Sequence, residues 1–179
     1  IKVLGKASHS GIAPEKGINS LQIASRAISK LPLGRIDDDS TMNIGILKSG
    51  SAVNVIPELT ELDGEVRSFN VNKVEKYFNS ALDIFNKEAE LAGGKIKVSW
   101  FWDFKPYTVS PNSFPSMEIV KVLKKVGLNP TPKISLGGSD ANSLNEKGIE
   151  SINLGIGAQN PHSNDEFIYI EDLVKSAEI

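Results

Sequence analysis

Cysteine is absent and histidine occurs only twice in 179 residues. The first absence removes disulfides, thiolate metal sites and cysteine nucleophiles together. It favours a reducing compartment, so a cytoplasmic protein is expected. Any metal has to be held by His, Asp or Glu. Aromatic residues are sparse at 7%. No apolar run approaches the roughly 18 residues that span a bilayer. No basic block occurs in a chain of net charge −2, so neither a membrane nor a nucleic-acid partner is expected. Initiator Met and secretory signal are both missing, and the opening Ile1-Lys2-Val3-Leu4 is already strand-like, which reads as an internal cut. What remains is an ordinary globular balance, 40% hydrophobic and 23% charged, enough for one domain or two small ones.

Strand and helix periodicities alternate along the first hundred or so residues. Ile1 to His9 reads as a strand, ended by Gly11 and Pro14. Asn19 or Ser20 can cap a helix with Leu21, Ala24, Ile28 and Leu31 on one face, stopped by Pro32 and Gly34. Asp37-Asp38-Asp39 reads as a solvated turn. Thr41 to Leu47 and Glu58 to Phe69 alternate as two more strands, joined through Val53-Asn54-Val55-Ile56-Pro57, where proline bars a central strand position. Asn72 and Glu75 have capping-box spacing ahead of a helical stripe formed by Val74, Phe78, Ala81, Phe85, Ala89 and Ala92. Ile96 to Phe104 supplies a fourth strand. The order β-α-β-β-α-β predicts an α+β domain of the ferredoxin-like, split-βαβ kind, with a four-stranded antiparallel sheet and two helices on one face.

That domain is bounded at residue 107, with the turn-rich Pro106 to Ser113 leading out of it. Residues 108–179 are read as an incomplete α/β segment. Its expected elements are a helix from Ser116 to Val126, two short strands of the buried kind (Ile134 to Leu136, Ile149 to Leu154), a helix from Ala141 to Lys147 between them, and a final helix from Asp172. About seventy residues with two strands lie close to the size at which a lone core is marginal. A larger α/β domain is expected to complete them.

Several residues could carry chemistry, each with a structural alternative. His9 stands at a strand end beside a glycine turn, and His162 lies in a polar loop after a buried strand, a usual place for function in α/β proteins. Either could simply be a surface histidine. Gly137-Gly138-Ser139, opening a short helix, could cradle a carboxylate or phosphate on backbone N–H groups, or be a plain strand-to-helix turn. Arg67 could grip an acidic substrate group bidentately, or pair with Glu65 at the surface. Asn54 could orient a carbonyl, and turn chemistry explains it equally well.

Taken in order, these stretches resemble a known family. Residues Ala7 to Ser20 (ASHSGIAPEKGINS) resemble the HSG-x-x-P-E-x-G-x-N motif that opens the lid or dimerisation domain of peptidase-T-like zinc metallopeptidases, relatives of carboxypeptidase G, the aminoacylases and succinyl-diaminopimelate desuccinylase. Pro32 to Asp37, Ala52 to Pro57 and Gly64 to Ser68 match further lid motifs. Gly137 to Asn142, Asn153 to Gly155 and Asn160 to Phe167 match the last third of the catalytic domain. The resemblance implies a metal-dependent exopeptidase acting on di- or tripeptides or acylated amino acids, with two zinc ions per active site. It implies that His162 is a metal ligand and that His9 reaches the partner subunit's active site to bind the oxyanion, with Asn54 assisting. Arg67 and the Gly137-Gly138-Ser139 turn are implied to hold the substrate carboxylate, and the lid to form a homodimer. The family's other metal ligands and its general base have no counterpart here. Residues 1–107 are therefore expected to be the lid, residues 108–179 the C-terminal part of a split catalytic domain, and these residues alone inactive. The alternative is a non-catalytic ferredoxin-like dimerisation or small-ligand-binding module.

Overall fold

Alternate residues of two long strands turn inward against two helices, and that burial holds the first part of the chain together. The computed structural model describes residues 1–179, which divide into two compact units, Ile1–Asp103 and Phe104–Ile179. In the first unit β1 (Lys2–Leu4), α1 (Ser20–Ile28), β2 (Gly34–Asp37), β3 (Ser40–Ser49), β4 (Leu59–Ser68), α2 (Val71–Leu91) and β5 (Lys95–Lys97) follow one another. The sheet has five strands in the order β2-β3-β4-β1-β5, every pairing antiparallel. Along β4, Thr60, Leu62 and Ser68 are buried while Glu61, Asp63, Glu65 and Arg67 lie on the opposite face, as a period of two requires. Val3, Leu62, Ile23, Ala24, Ala27, Phe85 and Ala89 form the core between sheet and helices.

The unit is thus α+β, as the periodicity predicts, but with five strands where four were expected. The added strand is β2, which forms a hairpin with β3 around the three aspartates. Asp38 and Asp39 make the expected turn, with Asp38 exposed, but Asp37 and Asp39 are half-buried. Lys73 of α2 bridges Asp37 and Asp39, and the Tyr77 hydroxyl donates to Asp37 Oδ2 at 2.7 Å. The helix side chains thereby pin the hairpin. The Tyr77 hydroxyl first, then Ser40, holds the Asp37 carboxyl well below the usual carboxylate range. A depressed carboxylate contributes stability above its unfolded value of about pH 4, and loses that contribution as pH falls toward the folded value. Tyr77→Phe is accordingly expected to lower the thermal midpoint at pH 7, with the gap to wild type closing progressively below about pH 4. A midpoint-against-pH series on both proteins checks this.

Other boundaries also shift. Asn70, two residues before the expected cap, accepts the Asn72 N–H and starts α2. The fourth strand forms only over β5, and beyond it Trp100 leaves the ladder to pack on Phe78 at 5.4 Å between ring centroids. The strand expected to reach His9 ends at Leu4 and continues as single bridges, Lys6 to Ile18 and His9 to Val55.

The second unit contains α3 (Phe114–Lys125), α4 (Asp140–Glu146) and α5 (Ile170–Glu178). Neither expected strand forms. A strand is a paired state, and residues 134–136 and 149–154 belong to no sheet in this chain. Ala141 and Ser113 are its only buried residues, while Ile134 (84%), Ile170 (79%) and Phe114 (72%) stand largely in solvent.

Candidate functional site

His9 and Asn54 meet at one corner of the first unit. The segment after β1 runs beside the loop after β3: Ile56 N–H donates to Ser8 O at 2.9 Å, and Ser10 N–H to Asn54 O at 3.0 Å. Beneath them the buried Ser20 and Thr60 hydroxyls bond one another at 2.9 Å, and Ser20 Oγ also donates to Pro57 O. This anchors the loop to the first turn of α1. The approach is close at Gly17, where an added Cβ would stand 2.6 Å from Ile56 Cδ1. Both His9 and Asn54 are exposed. The imidazole is oriented by its own turn, since Nδ1 accepts the Gly11 N–H at 3.1 Å and the Ile12 N–H at 3.2 Å.

Arg67 lies elsewhere on the same unit. Eight residues of β4 separate Leu59, beside the His9 corner, from Arg67, or about 25 Å of strand at about 3.3 Å per residue. The guanidinium grips Glu65 on the same face of β4, Nε to Oε1 at 2.9 Å and Nη2 to Oε2 at 2.7 Å. The Glu65 carboxylate raises the Arg67 pKa further, so the guanidinium stays charged. A register shift between Ile44 and Ile46 puts a bulge in β3 opposite Asp63 and Gly64, two residues from this pair. Bulges re-aim neighbouring side chains.

In the second unit the Gly137-Gly138-Ser139 turn precedes α4, as expected, but two of its amides already have partners. Gly137 N–H donates to Ser135 Oγ at 3.1 Å and Ser139 N–H to Asn142 Oδ1 at 3.0 Å. Gly138 packs so tightly on Phe104 that a Cβ would stand 2.1 Å from its ring. These partners were missed in the sequence, although Ser139 and Asn142 have the spacing of reciprocal capping. His162 sits in a self-bonded loop closed by the Gln159–Phe167 bridge. Asn160 (φ 50°) and His162 (φ 65°) both adopt left-handed backbone, sparsely populated for such residues. Ser163 Oγ donates to Asn160 O and Glu166 Oε2 accepts the His162 N–H at 3.0 Å, which holds that shape. The ring is exposed. No group of three or more His, Asp or Glu side chains comes close enough to hold an ion, and a catalytic zinc needs about three protein ligands. The donors in this chain do not build a metal centre by themselves.

The peptidase dimerisation domain matches residues 1–92, just over half of the chain. This chain belongs to the peptidase dimerisation domain family. Within it the chain is peptidase-T-like. It is 35% identical over 99% of its length to the protein YqjE of Bacillus subtilis, covering 48% of that protein. Among solved structures it is similar to an aminopeptidase PepT of Bacillus cereus (33% identity, TM-score 0.79, 99% of this chain and 48% of that one). A tripeptidase of Staphylococcus aureus is also similar (30% identity, TM-score 0.84, 99% and 47%). The peptidase-T-like chain thus spans about half the length of the relatives it matches. No helix in it is long and apolar enough to cross a membrane.

Proposed function

We propose that this chain is the lid and the C-terminal catalytic segment of a cytoplasmic, zinc-dependent exopeptidase that cleaves di- or tripeptides and works as a homodimer. One observation carries the reading: His9 with Asn54, and Arg67, stand at opposite ends of β4. An extended tripeptide spans only about 10 Å. One such substrate cannot lie against both ends of the same sheet, about 25 Å apart. The separation supports a dimer in which each chain's His9 and Asn54 serve the partner's active site, while its own Arg67 serves another. β1, α1, β3, β4, α2 and β5 then make the ferredoxin-like unit, with β2 added at its edge.

The contributions of these residues follow from their chemistry. His9 and Asn54 present donors where a carbonyl oxygen gains negative charge. Arg67 offers a planar fork for the terminal carboxylate, and the Gly137 to Ser139 turn of the second unit is a further substrate-binding segment. His162 supplies one ligand to a metal centre whose other ligands and general base these residues do not provide. The apolar surface left open on the second unit, at Ile134, Phe114 and Ile170, fits a segment whose core is completed by further chain.

The expected outcome is that the 179 residues alone bind no stoichiometric zinc and hydrolyse no tripeptide, whereas the full-length protein does both. Metal analysis and a peptidase assay on the two polypeptides test it. Robust turnover by the 179 residues overturns the reading, and a full-length protein without activity or metal would favour the non-catalytic module.

A further inference from the structure

The His9 side chain is fixed by a device that its motif does not advertise. Two consecutive backbone N–H groups, of Gly11 and Ile12, converge on the one ring nitrogen Nδ1 at 3.1 and 3.2 Å. The turn behind them is closed by Ala13 N–H to His9 O at 3.2 Å and Ser8 Oγ to Ala13 O at 2.6 Å. A neutral imidazole has one donor nitrogen and one acceptor nitrogen. An N–H at Nδ1 would face two other N–H groups with no acceptor between them, so the proton must sit on Nε2. We infer that the turn locks neutral His9 as its Nε2–H tautomer, with Gly11 and Ile12 as positioning residues that act through their amides.

The inference rests on the proposed role of His9 and deepens it. A ring locked this way offers a hydrogen-bond donor from Nε2. It cannot act as a general base there, because the Nε2 lone pair exists only in the tautomer that the turn disfavours. His9 therefore takes part by donating to developing negative charge and not by removing a proton from water or substrate. Losing two backbone hydrogen bonds disfavours the other tautomer by about ten-fold or more.

Two-bond ¹H–¹⁵N correlation of the histidine-labelled full-length protein, at a pH where the ring is neutral, reads the tautomer directly. His9→Gln identifies the His9 signals by their disappearance. Nδ1 at the shift of an unprotonated nitrogen and Nε2 at that of a protonated one, with the Nε2–H form in about ten-fold or greater excess, is the expected result. A protonated Nδ1, or two averaged intermediate shifts, overturns the inference. Ile12→Pro removes one of the two donors and should raise the minor tautomer several-fold. If that variant does not fold, the wild-type spectrum still decides. The measurement needs no substrate, so it fails or succeeds independently of whether His9 contributes to turnover.

Discussion

Replacing His9 with Ala in the full-length protein is expected to lower kcat by about 10²- to 10³-fold, the usual effect of removing one preorganised oxyanion donor. KM should change little, because the donor strengthens its contact only as charge develops on the carbonyl oxygen. Metal content should stay at the wild-type level, since His9 is no ligand in this reading. The stability loss should be no more than about 1–2 kcal/mol, because the ring is exposed and its hydrogen bonds are to the two amides of its own turn, which water can reach after truncation. His162→Ala should instead lower metal content. Mixing the two variants gives the decisive outcome. Each is inactive alone, but a mixed dimer combines an intact His162 in one chain with an intact His9 from the other. Random pairing restores on the order of a quarter of the active sites. No recovery, after subunit exchange has been verified, would place His9 in the active site of its own chain. Unchanged kcat in His9→Ala would remove it from the chemistry altogether.

How much of this was legible before the structure depended on the range of the interaction concerned. Asn19 caps α1 through a bond to Gln22 N, three residues away, and the inward stripe of α2 follows from its own spacing; both were readable because their causes are local. β2 was not. Gly34-Arg35-Ile36-Asp37 holds a single large apolar residue, and what makes it a strand is pairing with β3 together with Lys73 and Tyr77, more than thirty residues further on. Candidate residues behaved in the same way. The types at His9, Asn54 and Arg67 pointed to donors and a carboxylate grip, and their loops and strand followed from the pattern. Their placement at two ends of one sheet is a property of register, which short motifs do not contain. In the second unit the apolar runs at Ile134 and Ile149 have strand composition but join no sheet, so composition alone misled. The Gly137-Gly138-Ser139 turn was readable as an anion cradle or as a plain turn, and the Ser135 and Asn142 side chains that bond its Gly137 and Ser139 amides were not part of that pattern.

Arg67→Ala is expected to reduce kcat/KM for peptides with a free terminal carboxylate by about 10- to 100-fold, the cost of losing a hydrogen-bonded charge partner of about 1.5–3 kcal/mol. The same peptides as C-terminal amides should change by less than about three-fold, since they bring no charge to the fork. The competing explanation is that Arg67 serves only as Glu65's surface partner, and magnitudes separate the two. Glu65 is half exposed and Arg67 a third exposed, and such pairs contribute about 0.2–1 kcal/mol. If the ion pair were everything, Glu65→Gln and Arg67→Ala would each lower stability by about 0.2–1 kcal/mol and leave kcat/KM close to wild type for both substrate forms. If Arg67 holds the substrate, its removal is far more damaging than that of Glu65, and only for the carboxylate form. Arg67→Lys sharpens the test, because it keeps the charge and loses the two-pronged geometry. Recovery of only a minor part of the lost kcat/KM would assign the contact to the planar fork. Full recovery would reduce Arg67 to a point charge.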